Sequence, residues 1–268
     1  MLTGLFFLYN MRQWNFISIL KYIFACLSVG FIAFQLGFIL QILVLIKFKP
    51  ISTSFMTNEY NRLCFLRTKC EFKHQWISYD QIGLPIKKAV IASEDSNFID
   101  HKGIEVDSIE KAWEKNLKKG KIIAGGSTIS QQLAKNLFLS SEKNYLRKSQ
   151  ELLLTLYLET ILDKRRILEI YLNSVEWGEG VFGIQAASEY YFHKNANEIS
   201  NFQAASLASA LPAPKCYDDD IYCNNVRINF KKRAYTIAKR MGLAGIPSDD
   251  NIQEYINKYS KKSKNAKK

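Results

Sequence analysis

From Tyr22 to Ile46 the chain runs 25 residues without a charged side chain. A helix needs about 20 apolar residues to cross the hydrocarbon of a bilayer, so this run must either enter lipid or be buried on every side. Lys21 precedes it, Lys47 and Lys49 follow it, and no acid occurs before Glu59. Those flanks suit a membrane span better than a core helix. A cleaved secretory signal carries an apolar region of only about 7–15 residues and then a small-residue cleavage site. Residues 22–46 therefore read as an uncleaved anchor behind a cytoplasmic segment 1–21. Its direction is not set by charge bias, because Arg12 and Lys21 are outnumbered by Lys47, Lys49, Arg62, Arg67 and Lys69 on the other side.

The formal charge of +12 resembles a nucleic-acid signal until it is divided by region. Two basic residues lie in the first 46 positions and six lysines in the last 11, with no acid in either, which leaves 29 basic and 25 acidic side chains between them. A nucleic-acid-binding domain concentrates its surplus on a folded face; here the surplus sits in an anchor and a tail, where it suits anionic headgroups. No nucleic-acid partner is expected. Apart from Cys26 in the apolar run, the cysteines form two local pairs, Cys64/Cys70 and Cys216/Cys223. Neither has zinc-ligand spacing, and disulfides or free thiols both remain open.

Residues 47–75 read as a linker without helical period, and residues 76–257 as a mainly helical domain. Trp76 to Tyr79 reads as an extended entry. Pro85 suits the first turn of a helix that ends about Glu94. Val106 to Leu117 has helical spacing, and Lys118 to Gly126, with glycines at both ends, reads as a mobile loop. Ser127 or Thr128 caps a helix to about Leu139, and a polar turn leads to a long helix from Tyr145 to just before Asp163. Further helices fit Lys164 to Asn173, Gly183 to Tyr191, Ile199 to Ala210 and Val226 to Met241. Residues 258–268 are too polar to fold and read as a basic disordered tail.

Three short stretches carry the polar chemistry. Glu94-Asp95 with Phe98 and His101 follows the Pro85 helix; taken alone, such a pair describes a solvated helix end. Gly125-Gly126-Ser127-Thr128 opens a helix whose unpaired N–H groups suit an anion. On it Gln131 and Gln132 lie four and three residues before Lys135, close enough to share a face. Arg147 and Lys148 lie four and three residues before Glu151. Alone this describes an intrahelical ion pair, but the apolar residues that follow, Leu152 to Leu158, imply a buried helix with a charged end.

In order and spacing these segments resemble the peptidoglycan glycosyltransferases, family 51 of the glycosyltransferases. The resemblance continues through Lys164-Arg165-Arg166-Ile167-Leu168-Glu169-Ile170-Tyr171-Leu172-Asn173, Glu176-Trp177-Gly178, Gly183-Ile184-Gln185-Ala186-Ala187 and Tyr191-Phe192. It spans roughly Trp76 to Pro214 and continues weakly to Met241. Glu176-Trp177-Gly178 and the early end of the chain look like the monofunctional biosynthetic members. Leu152 departs from the family's usual alanine, and Cys216 to Asn225 is unusual; neither touches the carboxylates. Ser140-Ser141-Glu142-Lys143 matches Ser-x-x-Lys by chance, since no Lys-Thr-Gly accompanies it.

The resemblance implies a lysozyme-like helical domain that polymerises lipid II at the outer face of the cytoplasmic (inner) membrane, with inversion to a β-1,4 linkage and release of undecaprenyl diphosphate. It implies Glu94 as general base and Glu151 as the second catalytic carboxylate. Ser127, Gln131, Gln132, Lys135, Arg147 and Lys148 fall in the donor and diphosphate site, and Asp95, Phe98 and His101 on the acceptor side. The expected partners are lipid II, the growing glycan strand, membrane lipid and other cell-wall synthesis proteins. Ile122 and Ile123, with Trp113, are expected to dip into the headgroups. Magnesium has room beside a diphosphate, but no acidic cluster demands a metal and no obligatory cofactor is expected. The competing readings are a lytic enzyme on the same fold, which needs no diphosphate site, and an inactive cell-wall scaffold.

Overall fold

The computed structural model describes residues 16–65, 70–106, 110, 114, 117–118, 126–142, 144–218 and 229–241. The expectations for Trp113, Ile122, Ile123 and the basic tail lie outside these residues, as do most of the expected Val106 to Leu117 helix and of the Lys118 to Gly126 loop. The chain divides into two units, 1–47 and 48–268. In the first, α1 (Phe16–Val44) is one 29-residue helix, which at 1.5 Å per residue is ~43 Å long. It is long and apolar enough to cross a membrane, and only 6% of its most apolar stretch is covered by protein.

The second unit is helical, as expected, but it begins earlier than the sequence suggested. The presumed linker contains α2 (Ser54–Cys64). Thr53 caps it by accepting the Met56 N–H at 3.1 Å, and its buried stripe is Met56, Glu59 and Leu63. A charged residue in the middle of that stripe erased the apolar period. Glu59 is tolerated there because Arg62 Nε and Lys215 Nζ donate to it at 3.0 and 2.6 Å. Arg62 also reaches Glu179 at 2.6 Å, so α2 is clasped to the domain. A Cys64–Cys70 disulfide closes its C-terminal end. Cys216 is disulfide-bonded too, with its partner outside the described residues.

The expected extended entry is displaced: the strand is β1 (Lys73–His74), and Tyr79–Gln81 is a 3-10 turn. β1 pairs in parallel with β3 (Val181–Phe182), which pairs antiparallel with β2 (Glu176–Gly178), giving the order β1-β3-β2. Strands this short have no room for an alternation that a sequence could reveal. Asn173 holds the entry by accepting from Ile77 N–H and donating to Ile77 C=O, both at 2.9 Å.

The helices that position the site follow their sequence signals closely. α3 (Leu84–Glu94) starts with proline in its first turn, α4 (Ile129–Phe138) follows the Thr128 cap, and α5 (Tyr145–Ile161) follows Asn144. α6 (Lys164–Ser174), α7 (Ile184–Phe192) and α8 (Asn201–Ala210) come next, then a one-turn α9 (Lys215–Asp218) and α10 (Phe230–Arg240). α3 packs on α8 and α8 on α10, while α4 packs on α5 and α6. Ala204, Ala205, Ala208 and Ala210 are all buried on α8. Their small side chains let α3 and α10 approach it from two sides, which brings the end of α3 beside α10.

The clasp around α2 has a pH signature. Burial pushes the Glu176 carboxyl up to about 7; Lys215 opposes the shift and Glu59 adds to it. Unfolded, the same carboxyl ionises near 4.5. Between those values the folded chain binds the extra proton, so Glu176's contribution is whole below the lower value and lost as pH rises through the upper one. Glu176→Gln is therefore expected to raise the thermal midpoint by ~5 °C at about pH 8 and to change it little at about pH 5. Equal shifts at both pH values in a scanning melt would refute this account.

Candidate active site

Glu94 is the last residue of α3, where the helix stops and its side chain is no longer flanked by a following turn. Its two oxygens are treated differently. Oε1 accepts from Ser93 Oγ and from Arg233 Nη2, each at 2.9 Å. Oε2 accepts from Gln132 Nε2 at 3.0 Å, its only donor among the described residues. A carboxylate oxygen has room for more than one donor, so Oε2 retains an open lone pair. A second oxygen engaged this lightly is what a base needs when it takes a proton from a hydroxyl.

The neighbouring Asp95 has both oxygens engaged by the protein. It is buried, with Oδ2 accepting the Ile129 N–H of α4 at 2.9 Å and Oδ1 bonded to His101 Nε2 at 2.8 Å. Because His101 Nδ1 accepts the Gly103 N–H at 3.0 Å, the ring proton sits on Nε2 and points at Asp95. Burial raises the Asp95 carboxyl above its ordinary value, with the Ile129 and His101 hydrogen bonds opposing. Gly103 adopts φ +88°, and a Cβ there would lie 2.8 Å from Thr155, so the turn requires glycine. Its carbonyl also accepts from Thr128 Oγ1 at 2.6 Å. Phe98 is fully buried, with Lys164 Nζ 4.5 Å from its ring centre. Asp95, Phe98 and His101 thus form one knot that fixes the end of α3 against the start of α4.

On α4 the two glutamines part company. Gln131 is 2% exposed and completes a capping box: its Oε1 accepts the Thr128 N–H at 3.1 Å while its own N–H donates to Thr128 Oγ1 at 3.2 Å. Gln132, about 100° further round the helix, faces Glu94 instead. The shared face expected for Gln131, Gln132 and Lys135 is therefore split. Lys135 is half-buried, its Nζ 5.3 Å from the centre of the Phe55 ring. Ser127 lies exposed just before the cap.

Glu151 is 3% exposed on α5. Its Oε2 accepts from Arg147 Nη1 at 2.7 Å and its Oε1 from Lys148 Nζ at 2.5 Å. Both oxygens hold a cation, whereas Glu94 keeps one side open. The two carboxylates therefore differ in their partners: Glu151 meets a cation at each oxygen, and Glu94 Oε2 has a single amide donor among the described residues. Arg147 Nε is buried without a hydrogen-bond partner among the described residues. A buried guanidinium N–H left unpaired is costly, and a bound anion would satisfy it.

Sequence reasoning missed Arg233, which lies 139 residues from Glu94 in the chain. It comes from α10, where the resemblance was weak. With Ser93, Lys232, Thr236 and Arg240 it lines a cavity of about 370 Å³, so positive charge also lies on the α10 side of Glu94. Tyr171 was missed as well; it is fully buried and donates to Gln132 Oε1 at 2.9 Å.

A family model described as Transglycosylase matches residues 63–242. The chain is 57% identical over 229 residues to a biosynthetic peptidoglycan transglycosylase of Cupriavidus metallidurans, covering 85% of this chain and 98% of that protein. It is 54% identical to the protein of the same description from Ralstonia nicotianae, with the same coverage of both chains. Against that of Chromobacterium violaceum it is 53% identical over 201 residues, 75% of this chain and 88% of that one.

Proposed function

The chain belongs to the transglycosylase family, and from that premise we propose that it polymerises lipid II into linear glycan strands, with Glu94 as general base and Glu151 holding the cations that receive the diphosphate. The observation that carries the division of roles is the difference in oxygen occupancy. Both oxygens of Glu151 are spanned by Arg147 and Lys148, and Glu94 Oε2 has a single amide donor among the described residues.

The acceptor's 4-hydroxyl gives its proton to Glu94 as its oxygen attacks the anomeric carbon of the donor strand. Attack from the face opposite the diphosphate inverts that carbon to a β-1,4 linkage. The leaving group departs as an anion, so it needs positive charge more than a proton. Arg147, with its open Nε, supplies that charge together with Lys148 and Lys135. A glycosidase must instead protonate its leaving sugar oxygen. The acceptor lipid II carries a diphosphate of its own, for which the cavity lined by Lys232, Arg233 and Arg240 is suited. We assign Ser127, exposed just before the cap, to the donor side; Gln131, Asp95, Phe98 and His101 act by fixing the backbone between α3 and α4.

A substrate confined to the bilayer explains the apolar helix ahead of the domain. We place the domain at the outer face of the cytoplasmic membrane, where lipid II is consumed, and the Cys64–Cys70 disulfide suits that oxidising side. Protease added to intact spheroplasts should then degrade the domain; protection would reverse the topology. For the activity, the purified full-length protein in detergent is incubated with lipid II and the products are separated on gels. A polymer ladder is expected. Shortening of added glycan polymer would favour the lytic reading, and bound but unreacted lipid II the scaffold.

A further inference from the structure

We infer that Tyr171 is a positioning residue that tethers Gln132 over Glu94 and so keeps Glu94 Oε2 aimed as the proton-accepting atom; this rests on the reading of Glu94 as the base. Three helices meet in the chain of contacts: Tyr171 OH on α6 donates to Gln132 Oε1 at 2.9 Å, and Gln132 Nε2 on α4 donates to Glu94 Oε2 at 3.0 Å. Tyr171 has no exposed surface, and its hydroxyl is the only polar atom of its side chain. Burial, with Glu94 and Asp95 nearby, raises that phenol well above its ordinary value, so it acts as a fixed donor across the working pH range.

Gln132 is only half-buried, so water is within reach of its side chain. The hydroxyl holds its carbonyl end, which leaves the amide N–H₂ to face the carboxylate. A hydrogen bond between neutral groups polarises the next one along a chain, so the amide also donates more strongly to Glu94. With Ser93 and Arg233 on Oε1, the carboxylate is held at both ends and cannot rotate its open lone pair away from the acceptor. Donation to the ionised carboxylate favours that form, and losing it must move the acid limb of the rate profile to higher pH.

The test compares Tyr171→Phe, Gln132→Leu and the double variant in full-length protein, reading kcat, KM for lipid II and the pH dependence of kcat. Each single variant is expected to lower kcat ~10-fold with little change in KM, and to move the acid limb to higher pH. The double variant should be no worse than Gln132→Leu alone, because both cut one chain. Additive losses, or a folded Tyr171→Phe with a lower thermal midpoint and an unmoved acid limb, would overturn the proposal. If Tyr171→Phe folds too poorly to assay, Gln132→Met cuts the tether at its middle, and an unmoved acid limb there overturns it equally. Glu94→Gln separates the two readings: normal strands from it remove the base itself, whereas an inert Glu94→Gln beside a normal Tyr171→Phe removes only the tether.

Discussion

Glu94→Gln should make no glycan ladder from lipid II while still binding it. The substitution keeps the shape at the end of α3, and its amide oxygen can still accept from Gln132 Nε2 or Arg233 Nη2, the donors that now hold the carboxylate. What disappears is the ability to take a proton. General-base removal costs ~10²–10⁴ in rate, and a hydroxyl without a base is a poor nucleophile at neutral pH, so the upper part of that range is expected. Binding persists because the cations at Arg147, Lys148 and around Arg233 are untouched. Normal strands from this variant would sink the assignment.

Glu151→Gln should have the next largest effect, and it should show in two measurements. Glu151 is nearly inaccessible and holds two cations, one of them, Arg147, only 15% exposed at its side chain. Removing the negative partner of a buried pair leaves an uncompensated charge, typically at ~3–5 kcal/mol. Because Lys148 is 42% exposed and can turn to water, the expected loss is smaller, ~2 kcal/mol, or a thermal midpoint lower by ~5 °C. The rate should fall ~10²–10³, the loss typical of one misplaced electrostatic contact to a leaving group. Since Glu151 acts through its cations, adding Arg147→Met should cost little more than either change alone. Fully additive losses in kcat would mean that Glu151 touches the reacting atoms itself.

Local chemistry was legible wherever it repeats within one helix. The placing of Glu94 followed from Pro85 and the apolar run behind it. The Arg147/Lys148/Glu151 cluster followed from spacings of three and four, because those neighbours meet on any helix; the cap was narrowed to Ser127 or Thr128 by residue type, and the structure places it at Thr128. α2 was hidden because its buried stripe contains Glu59, and a charge becomes a core residue only when distant Lys215 reaches it. β1 and β3 were hidden because two residues cannot show a period. Gln131 and Gln132 were indistinguishable for a related reason. Adjacent helical positions differ only in the direction they face, and direction is set by what packs against the helix.

The sequence by itself determined that this chain carries an apolar helix, a mainly helical domain and two separated acidic centres, one with its cations beside it. These are properties of contiguous residues, whose geometry any helix enforces. Only the tertiary structure decided the partners of each carboxylate, two cations on Glu151 and an amide, a hydroxyl and a guanidinium on Glu94. Gln132 reaches Glu94 across 38 residues, Tyr171 reaches Gln132 across 39 and Arg233 reaches Glu94 across 139. Partners that far apart are brought together by the packing of small alanines on α8 against α3 and α10, and of α4 against α6. Such packing depends on the combined shapes of several helices and leaves no mark at any fixed spacing along the chain.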